Sequence, residues 1–257
     1  MLYRFAMLVC HALFSFLRVR RDARGLENVP SDGGAALAIT HFGYLEFAVV
    51  AWTIWRHDRR RMLFLVTAGA FRNPVVGFLL RRLGQIPVDR RAGAAAYTAA
   101  VDALKAGALI GIFPEAGIDA SFTVRQLKTG AVRLASEADV PLIPVAIWGG
   151  QRLLTREHRV TFRERFGIAV RIAFGPPIAP DGERHVVSAR LRTQLQSLVA
   201  GLQADYPDDG TGQWWQPRAL GGTAPTPEEA AELDAAVVAR RDAKRAARNG
   251  SSTPSQT

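Results

Sequence analysis

The sequence predicts an α/β fold, a central mixed sheet covered by helices, with an N-terminal interfacial amphipathic helix and a largely irregular C-terminal tail. Three observations predict it. Short apolar runs of strand length recur along the chain, and longer helical segments alternate with them. The 257 residues, 48% of them hydrophobic, suffice for one large domain with appendages and exclude global disorder. From about Asp205 the composition turns to Gly, Pro and polar residues, which places the tail outside the main core.

The first segment, MLYRFAMLVCHALFSFLRVRR, is apolar but interrupted by Arg4 and His11. It falls short of the roughly 20 apolar residues that a spanning helix needs. Its basic residues follow the apolar stretch and no A-x-A site comes after it, so a cleaved signal peptide is not indicated. It reads as an interfacial helix, with an ordinary core helix as the alternative. Arg18, Arg20, Arg21 and Arg24 then form a basic knot, suited either to anionic headgroups or to a solvated turn. Residues 1–24 are thus expected to form a membrane-interfacial helix and basic turn, 25–204 the main domain, and 205–257 the tail.

Within the main domain, GLENVPSDGG reads as a turn and AALAIT as a buried strand. LEFAVVAWTIWRH is a helix, RRMLFLVT a strand and FRNPVVGFLLRRL a short helix. GQIPV returns as a strand, AGAAAYTAAVDALKAG is a helix ended by Gly107, and ALIGIFP is a buried strand. LKTGAVRLASEADV is a helix and PLIPVAIWG a strand. Pro144 cannot donate to a central ladder, so this strand is expected at an edge or bulged there. VTFRERFG and IAVRIAFGPPI are read as two later strands. RHVVSARLRTQLQSLVAGLQ closes the domain as an amphipathic helix, its leucines and valines recurring at three- and four-residue steps. In the tail, Glu228–Arg248 reads as a lone helix and the last residues as disordered. The Trp214–Trp215 pair is expected to dock on the core or to touch a membrane interface, docking being favoured.

The net charge of +10 points to an anionic partner: nucleic acid, an anionic membrane or a phosphorylated substrate. No basic helix interleaved with aromatics and no nucleic-acid module is visible, so no specific nucleic-acid partner is expected. One cysteine, Cys10, excludes a disulfide framework, and the five histidines show no metal-ligand spacing.

Four short blocks carry chemistry. In THFGYLEF, His41 ends a strand and Glu46 follows five residues later. Five positions subtend about 140° on a straight helix. The pair can meet only if His41 lies in the turn, Gly43 bends it and Glu46 starts the helix. Glu46 would then orient the imidazole; otherwise His41 is a satisfied strand-end histidine. GQIPVDRR sets Arg90 after a strand, where a guanidinium can hold a phosphate bidentately. FPEAGID sets Phe113, Pro114 and Glu115 after another, and a buried Glu115 would require a partner such as Arg90. The proline-rich VPLIPVAIWG is the fourth.

In this order the blocks resemble those of the glycerolipid acyltransferases typified by lysophosphatidic acid acyltransferase. That family's blocks are His-x4-Asp, an arginine block, FPEGTRS and a proline-rich strand, and the resemblance spans Gly25 to Pro177. The resemblance implies that His41 is a general base and that Glu46 takes the carboxylate position. It implies that Arg90 and Glu115, with Phe113 and Pro114 of the same block, form the glycerol-phosphate site. The region Val140 to Gly149 would support the acyl chain or the site wall. The implied donor is acyl-CoA or an acyl carrier protein thioester, the acceptor a lysophospholipid, and no cofactor or metal is expected. The implied location is the cytoplasmic face of the cell membrane, peripheral or monotopic. Two departures bear on substrate identity. Glutamate replaces the usual aspartate, and the third block lacks its arginine. Arg125 or Lys128 is expected to supply that charge, Lys128 from beside a helix start, unless it is merely solvated.

Overall fold

The computed structural model describes residues 1–88, 93–115, 117–156 and 158–250. These form two compact units, residues 1–119 with 124–209 and residues 120–123 with 210 onward. This division differs from the one expected at residues 24 and 204: the N-terminal segment belongs to the first unit.

That unit is built on seven strands: β1 (Arg20–Arg24), β2 (Ala35–Ile39), β3 (Met62–Thr67), β4 (Ile86–Val88), β5 (Leu109–Ile112), β6 (Leu142–Trp148) and β7 (Ala169–Phe174). Their order in the sheet is β1-β7-β6-β2-β5-β3-β4. All neighbours run parallel except β6 and β7, so the sheet is mixed as expected. The helices of this unit are α1 (Leu2–Phe16), α2 (Glu46–Asp58), α3 (Pro74–Arg82), α4 (Gly93–Lys105), α5 (Gly130–Ala138) and α6 (Arg184–Ala204).

Strand alternation sorts the core. Leu37 and Ile39 of β2, Ile143, Val145 and Ile147 of β6, and Val170 and Ile172 of β7 share one cluster with Tyr3, Met7 and Phe14 of α1 and Val49, Val50 and Ile54 of α2. The intervening residues Ala36, Ala38, Leu142 and Ala146, also fully buried, point to the other face, where α4, α5 and α6 lie. Both central strands, β2 and β6, are buried along their whole length. This is why they read as continuous apolar runs rather than alternating ones.

β6 is not an edge strand, and the bulged alternative accounts for Pro144. Val145 stands opposite Phe174, and Leu142 bridges to Ile178. Two residues of β6 therefore face the three of Gly175-Pro176-Pro177. The extra residue interrupts the ladder where Pro144 has no N–H to give, and only its carbonyl is used, by the Gly175 amide at 2.8 Å.

Two sequence readings need correction. The basic knot is not a turn. Arg20–Arg24 is an edge strand whose charged side chains ion-pair, Arg20 with Asp208 at 2.6 Å and Arg24 with Asp205 at 2.7 Å. These two arginines are therefore committed to carboxylates rather than open to headgroups, and a charged edge resists pairing with another chain. VTFRERFG is not a strand. Thr161 and Glu164 form a reciprocal cap, the Glu164 carboxylate accepting from the Thr161 amide at 2.6 Å and the Thr161 hydroxyl accepting from the Glu164 amide at 3.4 Å. This T-x-x-E pattern starts a single helical turn, Arg163–Arg165.

α1 is both a core helix and an apolar outer surface. One face buries Tyr3, Met7 and Phe14, while Phe5, Leu8, Leu13 and Phe16 stay exposed. Phe16 packs on Phe162 and Phe166, which flank the Arg163–Arg165 turn, with ring centroids 6.2 and 5.7 Å away. Among the described residues no helix is long and apolar enough to cross a membrane.

The second unit contains α7 (Pro227–Gly250), the helix expected near Glu228–Arg248, behind a Thr226–Glu229 capping box. Trp215 is 3% exposed, and Trp214 meets the edge of Phe122 within the same unit. Gln216 sits against Gly210 and Gly222, where a Cβ would come within 2.5 and 2.0 Å of it. Residues 251–257, read as disordered, lie outside the described residues.

The buried Met62 amide donates to the Tyr3 hydroxyl at 3.0 Å, tying α1 to the start of β3. Tyr3→Phe leaves that amide without an acceptor and is expected to cost about 1–3 kcal/mol. A fall in the urea midpoint with an unchanged slope is the expected reading. An unchanged midpoint would mean that this bond contributes nothing to stability.

Candidate functional site

In parallel α/β sheets, ligands sit beyond the carboxyl ends of strands where the chain reverses its direction across the sheet. Here that point is β2. The chain moves from β2 to one side for β3, β4 and β5, then to the other for β6 and β7. His41 follows the end of β2, and Phe113, Pro114 and Glu115 follow the end of its neighbour β5. Sheet topology thus brings two motifs together that are some 70 residues apart in sequence.

The turn after β2 is fixed by buried polar contacts. Thr40 is fully buried; its amide donates to the Val145 carbonyl and its hydroxyl accepts from the Ile147 amide, at 3.0 and 3.1 Å. Gly43 passes so close to the 150–154 segment that a Cβ would come within 2.9 Å of the Gly150 and Leu154 carbonyls. The Tyr44 amide donates to that same Leu154 carbonyl. Close approach, rather than a left-handed backbone, is why glycine stands here.

His41 and Glu46 meet. The imidazole Nδ1 lies 3.3 Å from a Glu46 carboxylate oxygen. That is the long end of hydrogen-bond reach, as open catalytic sites often show. Glu46 opens α2, as the spacing argument required, and folds back so that both its oxygens take the Phe42 amide, at 3.0 and 3.1 Å. Its side chain has no solvent exposure, whereas that of His41 is 20% exposed. Burial raises the Glu46 pKa, opposed by the bonds from His41 and the Phe42 and Gly43 amides. The added methylene has room because residue 150 is glycine: a Cβ there would stand 3.0 Å from the Glu46 Cγ. With Nδ1–H directed at the carboxylate, Nε2 keeps its lone pair, as proton abstraction from a hydroxyl requires.

The FPEAGID block holds the same turn from the other side. Phe113 stacks on the His41 ring, centroids 4.1 Å apart, and continues through Phe64 to the half-exposed Phe47. Glu115 accepts from the His41 amide at 3.0 Å and from the Arg125 amide at 3.4 Å. The Asp119 amide returns a bond to the His41 carbonyl at 3.0 Å. Glu115 therefore grips the backbone that carries the imidazole. Burial pushes its pKa up to about 8, with the nearby Asp119 and Glu46 carboxylates adding to the rise.

Of the remaining expected residues, Arg90 lies outside the described residues, so its pairing with Glu115 is not part of this geometry. Arg125 is near the site, but its guanidinium is committed to the buried Asp119 at 2.6 Å. Lys128 precedes α5 as expected, with its amide bonded to the Pro114 carbonyl at 3.0 Å and its side chain exposed. Asp119, the Phe42 amide and Gly150 are contributors that the sequence reading passed over. Asp119 stood in the third block as a residue where that block usually carries Ser, and only the fold reveals its partner. Among the described residues no three His, Cys, Asp or Glu side chains gather to hold a metal.

The family model described as Acyltransferase matches residues 20–148. The chain is 32% identical over 124 residues to the 1-acyl-sn-glycerol-3-phosphate acyltransferase of Bacillus subtilis, covering 48% of this chain and 60% of that one. It is 27% identical over 220 residues to an uncharacterized protein of Mycobacterium leprae, covering 70% and 58%. The chain thus spans less than two thirds of the length of these relatives. Its fold is similar to that of the 1-acyl-sn-glycerophosphate acyltransferase PlsC from Thermotoga maritima. The TM-score is 0.65 at 19% identity, over 80% of this chain and 81% of that one.

Glu115 also gives a pH signature. Its folded pKa, about 8, lies above the ordinary carboxylate value, so the folded state retains a proton that the unfolded chain releases. Its contribution is complete below the unfolded pKa and is lost as pH rises through the folded one. Glu115→Gln is therefore expected to flatten the decline of stability between about pH 4.5 and 8. Urea midpoints at both ends of this window check it; parallel declines in wild type and variant would contradict it.

Proposed function

The chain belongs to the acyltransferase family, and from that premise we propose that it transfers a fatty acyl group from an acyl thioester to the free hydroxyl of lysophosphatidic acid. The observation that carries this reading is the His41–Glu46 contact, with a partly exposed imidazole backed by a fully buried carboxylate. His41 Nε2 takes the proton of the acceptor hydroxyl as its oxygen bonds to the thioester carbonyl carbon. The C–S bond then breaks, and the imidazolium returns the proton to the departing thiolate, so no covalent enzyme intermediate is needed. Glu46 stabilises the imidazolium, and Glu115 with Asp119 holds the His41 backbone in place. The donor is acyl-CoA or acyl carrier protein, and the acceptor phosphate is taken by Arg90 and Lys128. The enzyme works at the cytoplasmic surface of an anionic membrane, against which the exposed apolar face of α1 lies.

A second acceptor is favoured by one observation. The third block contributes no basic side chain, and the Arg125 that follows it is paired with Asp119. A less anionic acceptor, such as another lysophospholipid, fits such a site better than a phosphate monoester does.

Labelled palmitoyl-CoA is offered with lysophosphatidic acid, glycerol-3-phosphate and several lysophospholipids to wild type and His41→Ala. The expected result is transfer to lysophosphatidic acid that falls by roughly a thousandfold or more in the variant. Transfer that survives in His41→Ala would remove the proposed base. Transfer confined to a neutral or zwitterionic acceptor would select the second reading. No transfer from either CoA or acyl carrier protein would leave a non-catalytic lipid binder.

A further inference from the structure

A second group of arginines lies away from His41. α1 and α2 pack side by side, and the groove between them contains a cavity of about 350 Å³ lined by Arg4, Arg56, Arg59, His11, Trp52 and Trp55. Arg56 and Arg59 lie at the far end of α2 from Glu46, on the order of 15 Å along its axis. This is not the site at the end of β2.

The charges here are uncompensated. Among the described residues no carboxylate lies within ion-pair reach of Arg4, Arg56 or Arg59; the nearby Asp22 is taken by Arg24 and Arg171. Arg21 joins the group from β1, its guanidinium 5.2 Å from the centre of the Trp52 ring. Burial and the neighbouring Arg56 lower its pKa, as mutual repulsion among guanidinium groups requires. Among the described residues the buried Trp52 indole N–H has no acceptor. His11 stacks on Trp52, and Arg59 sits over Trp55. An apolar indole floor beneath arginines that lack anions is a constellation for a desolvated phosphate, which guanidinium groups bind bidentately. Phe5 and Leu8 line the same cavity and begin the exposed apolar face of α1. A soluble phosphate would have no use for that face, whereas the chains of a lipid would cover it.

We propose that the groove between α1 and α2 binds the phosphate of an anionic phospholipid whose chains lie along the exposed face of α1. The proposal deepens the membrane part of the functional reading. Its test reads binding alone, so its failure leaves acyl transfer at His41 untouched. The lipid fixes how α2 lies against the bilayer, and with it the direction in which the turn ahead of that helix presents His41.

The test is co-sedimentation of the full chain with vesicles of equal parts phosphatidylcholine and phosphatidylglycerol. Arg4→Gln/Arg56→Gln/Arg59→Gln is expected to lower the vesicle affinity by roughly tenfold or more. Arg56→Gln alone, with an unchanged thermal melt, is expected to lower it by about threefold. The charge-matched control Lys105→Gln/Arg184→Gln/Arg190→Gln, altered at exposed positions elsewhere, is expected to stay within about twofold of wild type. Equal losses in both triple variants would reduce the effect to diffuse charge and overturn the site. Displacement from vesicles by millimolar inorganic phosphate, at unchanged ionic strength, would overturn the lipid assignment in favour of a soluble phosphate.

Discussion

A carboxylate stripped of water organises this molecule. Glu46 has no solvent exposure, and a buried carboxylate without partners costs several kcal/mol. The chain meets that cost within a few residues. The Phe42 amide donates to both oxygens, the His41 ring lies within reach of one, and the positive end of α2 adds its dipole. Those partners exist only if the backbone doubles back tightly between residues 41 and 46. The doubling back requires Gly43 to touch the 150–154 segment and Gly150 to leave space beside the Glu46 side chain. The geometry of the proposed base is thus set by how one buried charge is satisfied.

A second buried carboxylate does different work. Glu115 accepts from the backbone amide of the same histidine, and the Asp119 amide donates to the carbonyl on that residue's other side. The two glutamates divide the task, one addressing the ring and one the backbone. Their environments divide with it. Burial pushes both toward the neutral form; the His41 ring opposes this at Glu46, while the nearby Asp119 and Glu46 carboxylates add to it at Glu115. The parallel pairing of β2 with β5 makes this division feasible, because it sets the ends of two distant motifs beside each other.

Most of this architecture was legible because it depends on local pattern. The buried strands from AALAIT to PLIPVAIWG and the helices between them follow from apolar runs and turn residues, whereas the spacing of His41 and Glu46 alone left their meeting open. The misreadings share a cause. RRDAR becomes a strand only because β7 offers an edge and Asp205 and Asp208 lie near it, and neither is visible in five charged residues. VTFRERFG looked like a strand because its aromatics and valine carry β propensity, but the Thr161–Glu164 cap outweighs that propensity locally. The side-chain partner expected for Glu115, Arg90, lies outside the described residues. Sequence offers side chains as partners, and here the partners among the described residues are main-chain amides, which only the fold can place. The α1–α2 groove was equally hidden, since Arg4, Arg56 and Arg59 belong to helices distant in sequence.

The central claim is that Glu46 acts on the reaction through His41 and not independently of it. The most direct test is a double-mutant cycle on the acyl-transfer rate, comparing His41→Ala, Glu46→Gln and the two combined, with thermal melts to confirm folding. The account predicts that the combined variant is no slower than His41→Ala alone, because a carboxylate that orients a ring has nothing to orient once the ring is gone. Losses that multiply would contradict it and make Glu46 a separate contributor with a contact of its own to the reacting groups.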